Sequence, residues 1–243
     1  MSAETAAPVP REGPLLLSVD TATTRGVVVL AIGGRVLAAS MYAAGSDHAE
    51  KLLDHVGAVL RTAGVTLRDV QGYGVGIGPG SFTGVRAGLT TVKAFALALP
   101  APVAAIPTLA TIAAGSRRVA VAEGATPVGI VLSAGRDDCF VQCLGGPAPP
   151  AEPVVVAHGA LTSWFQEHSL RYGAGREIAA FLADRVVDLT EGEGLPTPAA
   201  LAELTARGFL EGRALEGGAA AFLDAAYARP PQITAPRARS RST

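Results

Sequence analysis

Gly74-Val-Gly-Ile-Gly-Pro-Gly-Ser-Phe-Thr-Gly-Val-Arg-Ala-Gly88 is the most informative stretch of this chain. An apolar strand runs into the turn Gly78-Pro79-Gly80, and an apolar helical segment follows from Val85 to Leu99. Ser81 and Thr83 stand between them, where a hydroxyl would cap the N-terminus of the helix. A strand, a glycine turn and a capped helix direct several backbone N–H groups at one spot, which favours a bound anion.

Arg86 falls in the first turn of this helix, where a cation opposes the positive end of the helix macrodipole. Its presence is easier to explain if a carboxylate or phosphate shares the site. The segment is neither a Walker A loop nor a dinucleotide fingerprint, because no Lys-Ser/Thr pair follows and the next glycine comes one residue late. The predicted anion or nucleotide loop consists of Asp20, Gly78, Gly80, Ser81, Thr83, Gly84 and Arg86. Gly80 is expected to adopt a positive φ, and the alternative is a tight turn whose glycines only allow close packing.

The run from Gly76 to Arg86 reads Gly-x-Gly-Pro-Gly-Ser-Phe-Thr-Gly-x-Arg and resembles, without a substitution, the signature of the TsaB (YeaZ) family. Flanking segments are similar to that family as well: Leu17–Thr23 to its opening strand and turn, His48–Leu53 to its first helix, and Pro107–Leu109 to the entry of a later helix. The resemblance is strong from about Leu15 to Ala114 and weak beyond.

The order of predicted elements agrees with that family. Three strands joined by short turns (Leu15–Asp20, Gly26–Ile32 and Arg35–Tyr42) predict an antiparallel meander, and a βαβα segment follows. The resemblance implies an α/β actin-like or Hsp70-like (ASKHA) fold, built of two ribonuclease-H-like domains with mixed sheets. The expected organisation is a disordered tail over 1–14, an N-terminal ribonuclease-H-like domain over 15–114, a smaller C-terminal α/β domain over 115–230 and a basic disordered tail over 231–243.

The carboxylates that serve catalysis in this superfold are incomplete here. Asp20 stands in the first turn, where a turn residue capped by neighbouring threonines is the favoured interpretation. Relatives carry Asp-Ala-Arg in the second turn, whereas this chain has Ser133-Ala134-Gly135. Asp137 and Asp138 are available as replacements, but solvated turn residues are the simpler interpretation. A hydroxyl in place of the second carboxylate argues against phosphoryl transfer.

No metal site is expected either. The related TsaD carries a His-x-x-x-His helix for its metal, whereas His48 and His55 are seven residues apart in this chain. Along a helix that spacing is about 10 Å, too far for one ion. Cys139 and Cys143 are expected as buried small hydrophobes, because about 13 Å of strand would separate them and no disulfide closes over that span. No catalytic residue is predicted for the chain by itself.

The predicted helix from Val85 to Leu99 is nonpolar nearly all round, which indicates that both of its sides are buried. The preceding helix can pair with it and offer a two-helix face that small residues open to a partner helix. The predicted partner interface consists of Leu53, Gly57, Ala87, Thr91, Ala94 and Ala98. In the resembled family these two helices join the equivalent pair of TsaD, and two copies form a similar homodimer when alone. The alternative is that the second domain covers this face.

The resemblance implies a non-catalytic scaffold subunit, required with TsaD and the P-loop ATPase TsaE for N6-threonylcarbamoylation of adenosine 37 in ANN-decoding tRNAs. It implies no cofactor of the chain's own and leaves open ATP or ADP at the interface of the complex. The alternative from another class is an independent actin-fold ATPase or kinase, or a metal-dependent peptidase-like enzyme. The missing His pair and the missing carboxylate of the second turn argue against both.

Charge and composition limit the remaining partners. A formal net charge of −1 provides no basic surface field, so tRNA is expected to be contacted only through the complex. The N-terminal residues lack the apolar core of a signal peptide, and no apolar run is long enough for a membrane span. These features predict a cytoplasmic protein without a membrane partner.

Overall fold

The computed structural model describes residues 12–43, 48–116, 127–135, 137–145, 152–176, 187–188, 194–216, 219 and 223–225. The first half consists of β1 (Leu15–Asp20), β2 (Arg25–Ile32), β3 (Arg35–Ala43), α1 (His48–Thr62), β4 (Gly72–Gly76), α2 (Phe82–Ala98), β5 (Val103–Ile106) and α3 (Thr108–Gly115). The second half consists of β6 (Val128–Ser133), β7 (Asp138–Leu144), β8 (Val154–Ala157), α4 (Leu161–Glu167), β9 (Tyr172–Ala174), β10 (Val187–Asp188) and α5 (Pro198–Leu210). The predicted tail over 231–243, and residues 1–11 of the tail predicted over 1–14, lie outside the described residues.

Both halves contain a five-stranded mixed sheet of the same plan. The strand order is β3-β2-β1-β4-β5 in the first sheet and β10-β9-β6-β7-β8 in the second. In each sheet three consecutive strands form an antiparallel meander, and a later strand pairs in parallel with the first strand of that meander. The antiparallel meander and the βαβα segment predicted for the first half are confirmed, and the second sheet repeats the strand plan.

Helices α1 and α2 cover one face of the first sheet. Val28 and Leu30 of β2 lie in one apolar cluster with Leu52 of α1 and with Val85 and Leu89 of α2. Full burial of such a side chain contributes about 1.5–3 kcal/mol relative to exposure. Hydrophobic burial therefore holds both helices on the sheet, with α2 beginning directly after the glycine turn.

Helix α5 covers the opposite face of the same sheet. Val27, Val29 and Ala31 of β2 pack with Leu201 and Ala202 of α5. The sequence-based division assigned this helix to the C-terminal domain over 115–230, whereas the helix lies on the N-terminal sheet. The physical reason is that β2 is apolar on both faces, and α1 and α2 cover only one of them.

Helix α3 connects the two halves. Its first residue, Thr108, is fully buried at the end of the first sheet, beside the glycine turn. Leu109 and Ile112 pack in one cluster with Val128 and Ile130 of β6. The glycine turn, the end of β1 and the second sheet are therefore linked through one short helix.

Candidate functional site

The glycine turn leads from β4 directly into α2. Gly78 has a φ of 89°, and the peptide bond that follows it is cis. Ser81 caps α2, because its Oγ accepts a hydrogen bond from the Gly84 N–H at 3.2 Å. Thr83 lies in the first turn of the helix with its side chain exposed. The cap predicted at Ser81 is confirmed, and the helix begins at Phe82, earlier than predicted.

Three backbone amides of the predicted anion site have acceptors within the protein. The Gly78 N–H donates to Thr108 Oγ1 at 3.2 Å, the Ser81 N–H to the Ala22 carbonyl at 2.7 Å, and the Gly84 N–H to the Ser81 hydroxyl. A buried amide needs such a partner, so an anion would have to displace these bonds before it could use the same donors.

The glycines of the turn let the connection between β1 and β2 approach closely. A Cβ on Gly80 would lie 2.1 Å from the carbonyl oxygen of Ala22, and one on Gly84 would lie 2.0 Å from that of Thr21. Both obstacles are backbone atoms, which cannot swing aside as the end of a long side chain can. The positive φ expected at Gly80 is wrong, because it occurs at Gly78 instead. Close packing, the alternative interpretation, accounts for Gly80 and Gly84.

Asp20 lies at the end of β1, beneath the glycine turn, and its exposed fraction is 0 %. Its Oδ1 accepts a hydrogen bond from the Ala22 N–H at 2.9 Å, and its Oδ2 accepts one from the Thr108 hydroxyl at 3.0 Å. Desolvation by burial raises the pKa of this carboxyl from 3.8 to about 6, and the two hydrogen bonds offset part of the rise. Asp20 thus holds the turn and α3 together and presents no surface to a ligand.

The threonines near Asp20 form hydrogen bonds other than the predicted capping of its turn by neighbouring threonines. Asp20 is a turn residue with a threonine partner, as the sequence suggested, but that partner is Thr108 of α3. The adjacent Thr21 instead donates its hydroxyl hydrogen to the Gly84 carbonyl at 2.6 Å. The hydroxyl of Thr21 therefore ties the first turn to the start of α2. No local sequence signal distinguishes the two threonines.

Arg86 lies on the exposed side of the first turn of α2. Its guanidinium carbon is 5.2 Å from the centroid of the Phe82 ring, which is itself exposed. A cation over an aromatic face contributes about 0.5–1 kcal/mol at such a site. This contact offsets part of the unfavourable position near the helix N-terminus, so a bound anion is not required to explain the arginine.

The second turn, after β6, has a hydroxyl cap. Ser133 Oγ accepts a hydrogen bond from the Gly135 N–H at 3.2 Å. Asp137 is exposed and Asp138 is half-buried, while Arg136 lies outside the described residues. Across the described parts of the chain, no three His, Cys, Asp or Glu side chains come together as a metal site would require.

The remaining candidate ligands have structural contacts. His55 of α1 packs on β3, with Nδ1 2.7 Å from Ser40 Oγ and its ring stacked on Tyr42 at a centroid distance of 4.3 Å. The side chain of His48 lies outside the described residues. Cys139 is buried and Cys143 half-buried, and they form no disulfide with each other.

The outer side of α1 and α2 is open in this chain, and we call it the two-helix face. Of its predicted residues, Leu53, Ala94 and Ala98 are exposed, and Gly57, Ala87 and Thr91 are half-buried. Leu97, which the sequence analysis missed, lies beside Ala94 and is 85 % exposed. The signal in the sequence that could have placed Leu97 on this face is its apolar side chain, three residues after Ala94. Because these side chains are exposed, the suggestion that the second domain covers this face is wrong for Ala94 and Ala98.

Each of the sequence comparisons matches less than half of the chain. The model of the family described as "TsaD: tRNA N6-adenosine threonylcarbamoyltransferase" matches residues 42–144. The tRNA threonylcarbamoyladenosine biosynthesis protein TsaB of Escherichia coli is 37% identical over 113 residues, which are 46% of this chain and 47% of that protein. The protein of the same name from Bacillus subtilis is 30% identical over 102 residues, 42% of this chain and 44% of that protein. The chain thus matches about half the length of these curated relatives.

Solved structures extend the similarity along most of the chain. YeaZ from Pseudomonas aeruginosa superposes with a TM-score of 0.70 and 29% identity, covering 88% of this chain and 99% of that one. A second structure from that organism, an uncharacterized protein with similarity to peptidase YEAZ, gives 0.72 and 28%, covering 89% and 100%. The chain is therefore similar to the TsaB and YeaZ proteins.

The fold of this chain is the predicted one. The ethanolamine utilization protein EutJ from Carboxydothermus hydrogenoformans, at 14% identity, shares the fold with a TM-score of 0.54 over 80% of this chain and 91% of that one. Together with the two YeaZ-like structures, it confirms the α/β actin-like (ASKHA) fold with two mixed sheets. No described helix is both long and apolar enough to cross a bilayer.

Proposed function

We propose that this chain is a member of the TsaB (YeaZ) family and acts as a non-catalytic scaffold subunit in the N6-threonylcarbamoylation of adenosine 37 of ANN-decoding tRNAs. It would act with a TsaD-like catalytic subunit and a TsaE-like ATPase. The curated relatives are named for tRNA threonylcarbamoyladenosine biosynthesis, and the matching family model describes the corresponding transferase. The observation that carries the proposal is the contrast between a closed glycine turn and an open two-helix face.

The closed turn supports a role without chemistry of its own. A phosphate-binding loop needs backbone amides that are free to point at the ligand. Here the amides of Gly78, Ser81 and Gly84 are bonded within the protein, and Asp20 is buried beneath them. The proposed subunit therefore has no cofactor of its own, and ATP or ADP would bind at the interface of the complex.

The open two-helix face supports assembly with another protein. Leu53 and Leu97 are 54 % and 85 % exposed, and the small side chains of the exposed Ala94 and Ala98 would let a helix approach closely. The proposed occupant is the equivalent helix pair of the TsaD-like subunit, or of a second copy when that subunit is absent. With a net charge of −1, the chain is proposed to meet tRNA only through the complex.

Reconstitution tests the proposed function. The purified chain is combined with its TsaD-like and TsaE-like proteins, tRNA, ATP and a threonylcarbamoyl donor, and each protein is omitted in turn. We expect modification to require all three, and the isolated chain neither to hydrolyse ATP nor to cleave protein, with or without Zn²⁺ or Mg²⁺. Turnover by the isolated chain that disappears in an Asp20→Ala variant would instead show an independent enzyme.

A charged substitution tests the proposed interface. Ala94→Glu would place an unpaired carboxylate against a partner helix, and its desolvation is costly. We expect this variant to keep its circular dichroism spectrum and to lose co-purification with the TsaD-like protein. The matched control is Ala199→Glu, at an exposed alanine in the first turn of α5, which should retain binding. If a folded Ala94→Glu variant still supports modification, the interface lies elsewhere.

A further inference from the structure

Helix α1 carries an acidic and a basic side chain on its outward side. Leu52, Val56 and Val59 are buried against the first sheet. On the opposite side of the helix lie Asp54 and Arg61, and both are exposed. Their separation of seven positions corresponds to two helical turns, or about 10 Å along the axis. The two charges therefore lie on one line along the outward surface of α1.

Both charges are available to another molecule. In the part of the chain that the structure describes, the side chains of Asp54 and Arg61 form no salt bridge and no hydrogen bond. A Cβ added to Gly57 would lie 3.1 Å from Arg61 Nη1, so the guanidinium lies over this glycine. Gly57 and Ala58, both half-buried, form the surface between the two charges. Residues this small let a second helix approach closely.

These charges select one direction in which two copies of α1 can pair about a two-fold axis. In a parallel pair every residue lies beside its own counterpart, so carboxylate would face carboxylate and guanidinium would face guanidinium. In an antiparallel pair centred between Gly57 and Ala58, Asp54 of each copy lies beside Arg61 of the other, because a two-fold axis repeats every contact. Arginine and a carboxylate form charge-assisted hydrogen bonds. The helix is therefore complementary to itself in the antiparallel direction alone.

We propose that α1 of two copies of this chain packs antiparallel across their two-helix faces, with Asp54 of each copy bonded to Arg61 of the other. Helix α1 lies at the two-fold axis, because Arg86 and Lys93 are the only charged residues of α2 and give it no acidic group for a reciprocal pair. The inference rests on the proposed function, since it uses the face proposed there for assembly. It adds the helix, the direction and the charges of the self-contact.

Charge reversal tests this pairing in the isolated chain. Asp54→Arg or Arg61→Asp turns both ion pairs of the dimer into like-charge contacts, so we expect either variant to self-associate roughly tenfold or more weakly in sedimentation at low salt. An equimolar mixture of the two variants restores both pairs and should associate like the parent. The matched controls Glu167→Arg and Arg171→Asp, at exposed positions in the second half, should have no effect. Circular dichroism confirms that each variant is folded.

The double variant Asp54→Arg and Arg61→Asp separates loss of the ion pairs from other effects of the substitutions. Exchanging the two charges keeps the antiparallel pair complementary, so we expect self-association to return to the parental strength. A double variant that stays dissociated overturns the proposal, as do single variants that associate like the parent, the result expected of a parallel pair. A parent chain that is monomeric at every concentration overturns it as well. Because no other protein is present, these results do not depend on whether the chain takes part in tRNA modification.

Discussion

At the scale of single residues, Asp20 couples the stability of the fold to pH. Its pKa in the folded chain is about 6, against 3.8 ordinarily, so the folded state holds the proton more tightly than the unfolded state. The stabilising effect of the protonated carboxyl is therefore complete below about pH 4 and is lost as the pH rises through about 6. The shift of about two pKa units corresponds to about 3 kcal/mol.

The variant Asp20→Asn tests this dependence, because the amide cannot ionise and still offers an oxygen to the Ala22 N–H. We expect the free energy of unfolding of the wild type to fall by about 3 kcal/mol relative to that of the variant between pH 4 and pH 7. Urea unfolding of both proteins at stepped pH gives the difference directly. A difference that does not change with pH would show that the ionised carboxyl is accommodated without cost.

Substitutions at Gly80 and Arg86 distinguish the contribution of close packing to stability from that of charge in the glycine turn. Gly80→Ala would drive a Cβ against the Ala22 carbonyl, and we expect a loss of about 1–3 kcal/mol of stability. The control is Gly159→Ala, where an added Cβ meets nothing within 4 Å. Arg86→Ala removes only an exposed contact with the Phe82 ring, so we expect a loss of at most about 1 kcal/mol. Thermal melts that rank Arg86→Ala with Gly80→Ala would contradict this account.

At the scale of elements, α5 is held on the first sheet by a buried pair of hydroxyls. Ser18 Oγ donates to Thr205 Oγ1 at 2.9 Å, and the Thr205 hydroxyl donates to the Leu201 carbonyl at 2.8 Å. Gly74 of β4 makes room for this pair, because a Cβ there would lie 2.3 Å from Thr205 Oγ1. Gly74 of β4 thus lets α5 pack closely on the sheet, just as Gly80 and Gly84 of the turn let the connection between β1 and β2 approach closely.

The variant Thr205→Val measures how much this pair of hydroxyls contributes to the stability of the fold. The substitution leaves the Ser18 hydroxyl buried without its acceptor, and we expect a loss of about 1–3 kcal/mol. Adding Ser18→Ala removes the stranded donor, so the double variant should lose less than Thr205→Val alone. Denaturant unfolding of the two single variants and the double variant completes the cycle. Strict additivity would mean that the two hydroxyls do not interact.

The elements that the sequence predicted well are those with local signals. The strands of the first meander and the Ser81 cap depend on residues near one another in the chain. The partners that the sequence did not reveal are distant, such as Ser18 and Thr205, which are 187 positions apart. A glycine that admits the Ala22 carbonyl and a glycine that frees an amide for an anion look alike in sequence. The sequence alone therefore does not decide between an anion-binding turn and close packing.

At the scale of the whole molecule, the N-terminal half is incomplete without α5. A fragment of residues 12–116 would expose the β2 face formed by Val27, Val29 and Ala31. We expect this fragment to aggregate or to melt without cooperativity, and a fusion to residues 194–216 through a flexible linker to restore a cooperative transition. Circular dichroism melts of both proteins provide the comparison. A fragment that folds alone with full stability would mean that the first sheet needs cover on one face only.

The late position of α5 in the chain also has a consequence for synthesis on the ribosome. The strands of the first sheet are complete at Ile106, but the helix that covers its second face ends at Leu210, about a hundred residues later. Translation at about 5–20 residues per second needs about 5–20 s for that interval. During this time the nascent chain carries an uncovered apolar sheet face, and we expect a holdase chaperone to bind it. Selective ribosome profiling would then detect chaperone association that begins after Ile106 leaves the exit tunnel and ends once Leu210 has emerged.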